Sequence, residues 1–310
     1  MNPAIYDIVA IDVSKDTLEV LTDKKSMTLP NNDAGIDRLI KAIAGKPNPF
    51  VALEATGGYE RRVCERLHEA GIALSLINPA RVRAFARSEG IMAKTDPIDT
   101  AVIGRFAKEK ELRPTPAPSA EQQELIDLMD RRSQMAEQLG TEKTRLKQAP
   151  DSIRRYVQDT IHATACQIQE LETAIDQVIQ RDPAMKHAFQ VFVSVKGVGE
   201  VTAWSILAYL REIGEIKRSS LVALAGLAPF NRDSGKTKKP RRIQGGRAKV
   251  RTCLYMAAQT AARCNPVIKP YVEGLRERGK PYKCALVAAM RKLLIHLQSL
   301  LKNSTPELDS

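Results

Sequence analysis

Two short apolar runs, each closed by an acid, constrain this chain most. Ile8-Val9-Ala10-Ile11 is followed by Asp12, and Phe50-Val51-Ala52-Leu53 is followed by Glu54. Runs of this length without polar alternation read as buried strands. Residues 5–13 are the first strand, 17–21 its partner and 26–29 a third, edge-like strand, with Ser14-Lys15-Asp16 as a hairpin link. Asn31-Asn32-Asp33 then caps a helix that carries Ile36, Leu39, Ile40 and Ile43 at helical spacing. The strand 50–53 ends at Gly57-Gly58, a helix with Val63, Leu67 and Ala70 follows, and Gly71 leads into the strand 72–77. Three antiparallel strands followed by alternating helix and strand predict an α/β domain of the RNase H-like kind. In such open sheets ligands gather beyond the strand ends, where Asp12 and Glu54 stand.

A second pair of acids lies in Lys94-Thr95-Asp96-Pro97-Ile98-Asp99, where a helix with an apolar face of Ala101, Ile103, Phe106 and Ala107 begins. Carboxylates three positions apart share a helix face, so both can point at one cation. Asp12, Glu54, Asp96 and Asp99 together offer the oxygen ligands that Mg²⁺ prefers. The same hexapeptide is also a good helix start, with Asp96 as N-cap and Pro97 in the first turn. An Asp at a strand end is also a common turn residue. Only the set of four on a basic protein favours a catalytic metal site for phosphoryl transfer on nucleic acid.

The formal net charge of +12 over 310 residues points to a polyanionic partner. No apolar run approaches the roughly 20 residues of a spanning helix, and Met1-Asn2-Pro3 lacks the charged region of a signal peptide. The expectation is a cytoplasmic protein without a membrane partner. Five scattered cysteines, none in a C-x-x-C pair, fit reduced core thiols. The four histidines show no ligand spacing, which argues against a His-based hydrolase.

Further along, Asn78-Pro79 opens a helix with Arg81, Arg83 and Arg87, either a solvated basic face or a phosphate contact. Residues 113–119 are a proline-rich linker, so the domains are expected at 1–112, 120–182 and 183–310. In the middle one, Val157, Ile161, Thr164, Ile168, Leu171, Ile175 and Val178 alternate steps of four and three, the seam of a coiled coil. The helix before it could return antiparallel after the break at Ala149-Pro150, giving a spacer or an oligomerisation arm. Lys196-Gly197-Val198-Gly199 is either a helix-hairpin-helix turn that offers N–H groups to phosphate or a plain corner between helices. A short helix over 221–227 precedes an acid-free segment with Lys236, Lys238, Lys239, Arg241, Arg242, Arg247, Lys249 and Arg251. An internal cationic stretch of this kind is expected to contact a nucleic-acid backbone.

Several motifs carry a family resemblance. Ile11-Asp12-Val13-Ser14-Lys15, Leu53-Glu54-Ala55-Thr56-Gly57, Ile77-Asn78-Pro79-Ala80 and the hexapeptide ending at Asp99 are four of them. Gly197 to Ala203, Ala225 to Pro229, Asp233-Ser234-Gly235 and Met290-Arg291-Lys292-Leu293 are the others. In these the chain resembles the DEDD transposases of bacterial insertion sequences, the "IS one-ten" family with its Piv-type invertases and bridge-RNA-guided recombinases. The resemblance implies a RuvC-like N-terminal domain, a helical coiled-coil arm and a mainly α C-terminal transposase domain. It implies that Asp12, Glu54, Asp96 and Asp99 form the metal-binding tetrad and that Ser234 is the nucleophile. Glu60 is also nearby, but the motif match selects Glu54. Mg²⁺, DNA, a structured guide RNA and a homo-oligomer, dimer or tetramer, are the implied cofactor and partners. Rival readings are a metal-dependent nuclease or Holliday-junction resolvase in which Ser234 is structural, and a non-catalytic nucleic-acid-binding scaffold. An actin-like kinase shares the core, but the charge is wrong and no later glycine-rich adenosine motif follows.

Overall fold

The computed structural model describes residues 6–23, 25–91, 96–230 and 242–304, with the side chains of 96–98 outside the description. The chain divides into two compact units, Met1–Ala117 and Pro118–Ser310.

In the first unit β1 (Asp7–Val13), β2 (Thr17–Leu21), β3 (Ser26–Pro30), β4 (Pro49–Glu54) and β5 (Ala73–Ile77) form one sheet in the order β3-β2-β1-β4-β5. The first three pair antiparallel, and β1, β4 and β5 run parallel. Alternate side chains serve opposite faces. Val9, Ile11, Val13, Val51, Leu53 and Leu74 pack on α1 (Asp33–Ile43) and α2 (Arg61–Glu69) through Ile36, Leu39, Ile43, Val63 and Leu67. Ala10, Ala52 and Ile77 meet Val82 and Phe85 of α3 (Pro79–Ser88) and Val102, Ile103, Phe106 and Ala107 of α4 (Asp96–Glu109). Coverage on both faces is why the two central strands lack polar alternation. Asn32 caps α1 by accepting from Gly35 N at 3.0 Å, and Asn78 caps α3 by accepting from Ala80 N at 2.8 Å.

The proline-rich stretch beyond α4 is docked, at Thr115, on the sheet. Thr115 N donates to Leu74 O at 2.7 Å, and Thr115 Oγ1 accepts from Leu76 N at 3.0 Å. His68 Nε2 lies 3.0 Å from Thr115 O. The stretch therefore runs along the outer edge of β5.

The second unit is mostly helical. Its first helices, α5 (Ala120–Leu146) and α6 (Asp151–Arg181), pair antiparallel: Arg132 bonds Glu172 at 2.6 Å, while Arg181 pairs with Glu124. Val157, Thr164, Ile168, Ile175 and Val178 are buried along α6, and Ile161 and Leu171 are half-buried. The others are α7 (Pro183–Val193), α8 (Glu200–Tyr209), α9 (Arg218–Leu224), α10 (Ala248–Cys264), α11 (Ile268–Glu277) and α12 (Tyr282–Ser304). The helix expected over 221–227 begins earlier and stops at Leu224, because Gly226 takes φ +68° in a left-handed turn. A ribbon that the sequence did not announce pairs β6 (Pro229–Phe230) with β7 (Arg242–Ile243) and brackets residues 231–241. By length and composition α12 matches a membrane-spanning helix, but Leu286, Met290, Leu293, Leu294 and Leu297 are buried in the core of the unit.

Trp204 of α8 ties that core to the α5–α6 pair. Its ring is 1% exposed, and Nε1 donates to Asp176 at 3.1 Å. The Arg132 guanidinium lies 5.9 Å from the ring centroid while bonding Glu172. Removing the ring leaves a cavity and an unpaired carboxylate. Trp204→Ala should therefore cost the second unit about 3–5 kcal/mol in urea denaturation; a loss below about 1 kcal/mol would contradict this anchoring.

Candidate active site at the carboxyl ends of the strands

Across the parallel β1–β4 pair, Ala10 stands beside Ala52 and Ile11 beside Leu53. The next residue on each strand is the acid, Asp12 or Glu54, on the same face as the alanines. Small residues let α4 approach that face closely. A Cβ added to Gly104 would sit 3.4 Å from Ala10 Cβ and 3.8 Å from Leu21 Cδ2. Further along α4, Lys108 pairs with Asp23, just past the end of β2. Because β2 is antiparallel to β1, that end of β2 lies beside the start of β1. So α4 runs against β1, and its first turn, with Asp99, lies over the carboxyl ends of β1 and β4.

Asp12, Glu54 and Asp99 are half-buried. Asp96 begins α4, but its side chain, like Lys94 and Thr95, lies outside the described residues. Among the described residues no three His, Cys, Asp or Glu side chains are grouped closely enough to hold a metal ion. The structure thus brings Asp12, Glu54 and the start of α4 to one end of the sheet without closing the described acids into a ligand cage. All four expected ligands are carboxylates, the hard oxygen donors that suit Mg²⁺.

Two further residues organise this end of the sheet. Glu60 Oε2 accepts from Thr56 N at 3.2 Å, Thr56 Oγ1 at 2.7 Å and Gly58 N at 2.8 Å, which gathers the loop after β4. Burial pushes the Glu60 carboxyl up, but the Thr56 hydroxyl and the loop N–H groups outweigh it and hold it below its ordinary value. Asn31 follows β3, and its Nδ2 donates to Ser14 O at 2.9 Å and to Tyr59 O at 3.1 Å. Its Oδ1 is buried with no hydrogen-bond partner among the described residues, which costs about 1–3 kcal/mol. The sequence presents Asn31 as one of three helix-capping residues and Glu60 only as a neighbour of Glu54. Nothing in the local pattern separates Asn31 from Asn32, which does the capping; its partners come from other loops.

Residues 9–154 match a model described as a transposase, of the DEDD type in the IS110 group, and residues 190–273 match the transposase IS116/IS110/IS902 family. The chain belongs to the IS110 transposase family. It is 26% identical to the pilin gene-inverting proteins of Moraxella bovis and Moraxella lacunata, with 96% of each chain covered. It is 23% identical to a probable family 20 transposase of Pseudomonas aeruginosa over 84% of this chain and 86% of that one. The first matched segment contains Asp12, Glu54, Asp96 and Asp99, and the second contains Ser234 and the cationic stretch.

In this transposase the expected nucleic-acid contacts divide by environment. Lys196 is exposed in the turn between α7 and α8, and its carbonyl accepts from Asn265 Nδ2 at 2.8 Å. Gly197 takes φ +96°, and a Cβ there would lie 2.6 Å from Ala261 Cα, so this glycine serves the packing of the turn on α10. Gly199 is the N-cap of α8. Ser234, Lys236, Lys238, Lys239 and Arg241 lie outside the described residues. Arg242 is exposed on β7. Arg247, expected to meet phosphate, instead donates to both Glu212 oxygens at 2.6 and 2.7 Å and to Tyr209 O at 2.9 Å. Lys249 pairs with Asp130. These acids come from distant segments, so an acid-free stretch of sequence did not reveal them.

The Glu60 loop supplies a pH test. Its folded carboxyl titrates below the ordinary 4.5, so the stability it contributes is complete above 4.5 and is lost as pH falls through the lower folded value. Glu60→Gln should lower the melting temperature at neutral pH and flatten the acid limb of stability measured down to about pH 3. An acid limb identical to the parent's would remove Glu60 from this role.

Proposed function

We propose that this transposase is a site-specific DNA recombinase that cuts and rejoins strands through a covalent serine–DNA link. Its first unit is then a RuvC-like, RNase H-like catalytic domain in which Asp12, Glu54, Asp96 and Asp99 hold Mg²⁺. The observation that carries this reading is the seating of Gly104 on Ala10, since it aims the start of α4 at the two strand-end acids. When bound, Mg²⁺ supplies charge neutralisation at the scissile phosphate and at the entering and leaving oxygens. The four carboxylates orient that charge, and partial burial reduces the hydration of Asp12, Glu54 and Asp99. Ser234 attacks the scissile phosphorus and loses its proton to solvent. The bond from that phosphorus to the neighbouring sugar oxygen breaks, and the sugar oxygen takes up a proton and leaves as a hydroxyl. The phosphoryl end of the cut strand stays on the serine, which conserves one phosphodiester for rejoining.

The remaining parts follow the same reading. The α5–α6 pair is a coiled-coil arm, supported by the apolar seam of α6 that is buried within the chain, and copies of the protein assemble into a dimer or tetramer through this arm. Exposed Lys196 and Arg242, with Lys236, Lys238, Lys239 and Arg241, contact nucleic-acid backbone, supported by the net charge of +12. A structured guide RNA directs target choice, and the work is done in the cytoplasm at the nucleoid. The relatives named for inverting a pilin gene support recombination between DNA sites as the overall reaction.

Glu54→Gln should retain DNA binding while cleavage falls at least about a hundredfold. Ser234→Ala should abolish a denaturation-resistant protein–DNA adduct on gels. A Ser234→Ala protein that still cuts would convert the reading to a metal-dependent nuclease. RNA that co-purifies with the protein should sequence as one structured non-coding species, and random fragments would remove the guide.

A further inference from the structure

Asp12 and Glu54 stand where the β1–β4 ladder stops, its last described rung being Ile11 beside Leu53. Beyond it the two chains part. One turns into the hairpin at Ser14, whose N donates to Thr17 O at 2.9 Å, and the other enters the loop gathered by Glu60. One side chain bonds to both: Asn31 Nδ2 reaches Ser14 O, two residues past Asp12, and Tyr59 O, in the loop after Glu54. Its own backbone N donates to Asp16 O at 2.9 Å, so the strut is fixed to the hairpin. A primary amide suits the task because its single nitrogen carries two N–H donors, one for each carbonyl.

We propose that Asn31 is a positioning residue that sets the spacing of Asp12 and Glu54 by bridging the loops that follow them. The inference rests on the metal-site reading above and deepens it. Asn31 touches neither acid in the described contacts and acts through the backbone on either side. Groups hydrogen-bonded directly to metal ligands typically change metal affinity by about 10–100-fold when removed, and a strut that acts through the adjoining backbone belongs at the lower end of that range.

The test uses Mn²⁺ as the probe, with binding to DNA-free full-length protein read by electron paramagnetic resonance, beside far-UV circular dichroism and DNA cleavage. Asn31→Ala should weaken Mn²⁺ binding at least about tenfold, and excess metal should restore part of the lost cleavage. Glu54→Gln is the control. If it leaves Mn²⁺ binding unchanged, the metal-site reading fails and this inference falls with it. If Glu54→Gln weakens Mn²⁺ binding while Asn31→Ala binds and cuts like the parent, only the positioning role is overturned. Should Asn31→Ala fail to fold, Asn31→Ser, which keeps one donor, should fold with intermediate affinity. A chain that folds with neither replacement makes Asn31 a folding strut and overturns the proposal.

Discussion

The seating of Gly104 on Ala10 is the contact on which the first unit depends. A Cβ at Gly104 would make ordinary contact with Ala10 Cβ at 3.4 Å, so the helix and the strand meet at the closeness that small residues allow, and a bulky side chain on either surface would press α4 away from the sheet. Ala52 beside Ala10 widens the same shallow seat. Around it Val102, Ile103 and Phe106 reach down to Ile77, Val82 and Phe85, and the edge-to-face pair of Phe85 and Phe106 closes one side at 5.5 Å. Close packing turns a sequence choice, small residues in two strands and one helix, into a direction for the helix start. The chemistry follows from that direction.

The second unit is held by polar ties set into an apolar core. Gln122, buried on α5, donates to Leu207 O and Ala208 O at 3.1 and 3.0 Å and so satisfies carbonyls at the end of α8. Arg247 fastens the start of α10 to Glu212 and thereby the base of the ribbon that brackets residues 231–241. Gly226 and Gly246 press backbone on backbone there, since a Cβ on Gly246 would lie 2.2 Å from Gly226 N. Desolvation pushes the half-buried thiols of Cys64 and Cys253 up to about 12, which keeps both protonated at neutral pH.

How much could be read beforehand depended on range. The strands, the capped helices and the antiparallel return after Ala149-Pro150 were legible because each rests on local period and end signals. Asp12 and Glu54 could be placed at strand ends because register along a strand is a local property, whereas the orientation of α4 needed the Gly104 contact. The partners of Arg247 and Asn31 could not be anticipated, since Glu212 and Tyr59 reach them only through the tertiary fold. Ribbon strands as short as Pro229–Phe230 and Arg242–Ile243 carry no periodicity at all. Thr115 was hidden for another reason, because its prolines suggested a free connection and its hydrogen bonds to Leu74 and Leu76 depend on an edge that exists only once the sheet is built.

That docked segment makes β5 a terminus for sheet growth. An open edge offers a row of donors and acceptors to any extended chain that comes near, including a copy of itself. Here Thr115 occupies Leu74 O and Leu76 N, and the residues on either side, Pro114 and Pro116, have no N–H to extend the ladder outward. A stray strand arriving along this stretch meets a backbone that cannot continue the pairing, which guards the unit against stacking edge to edge when the protein is abundant.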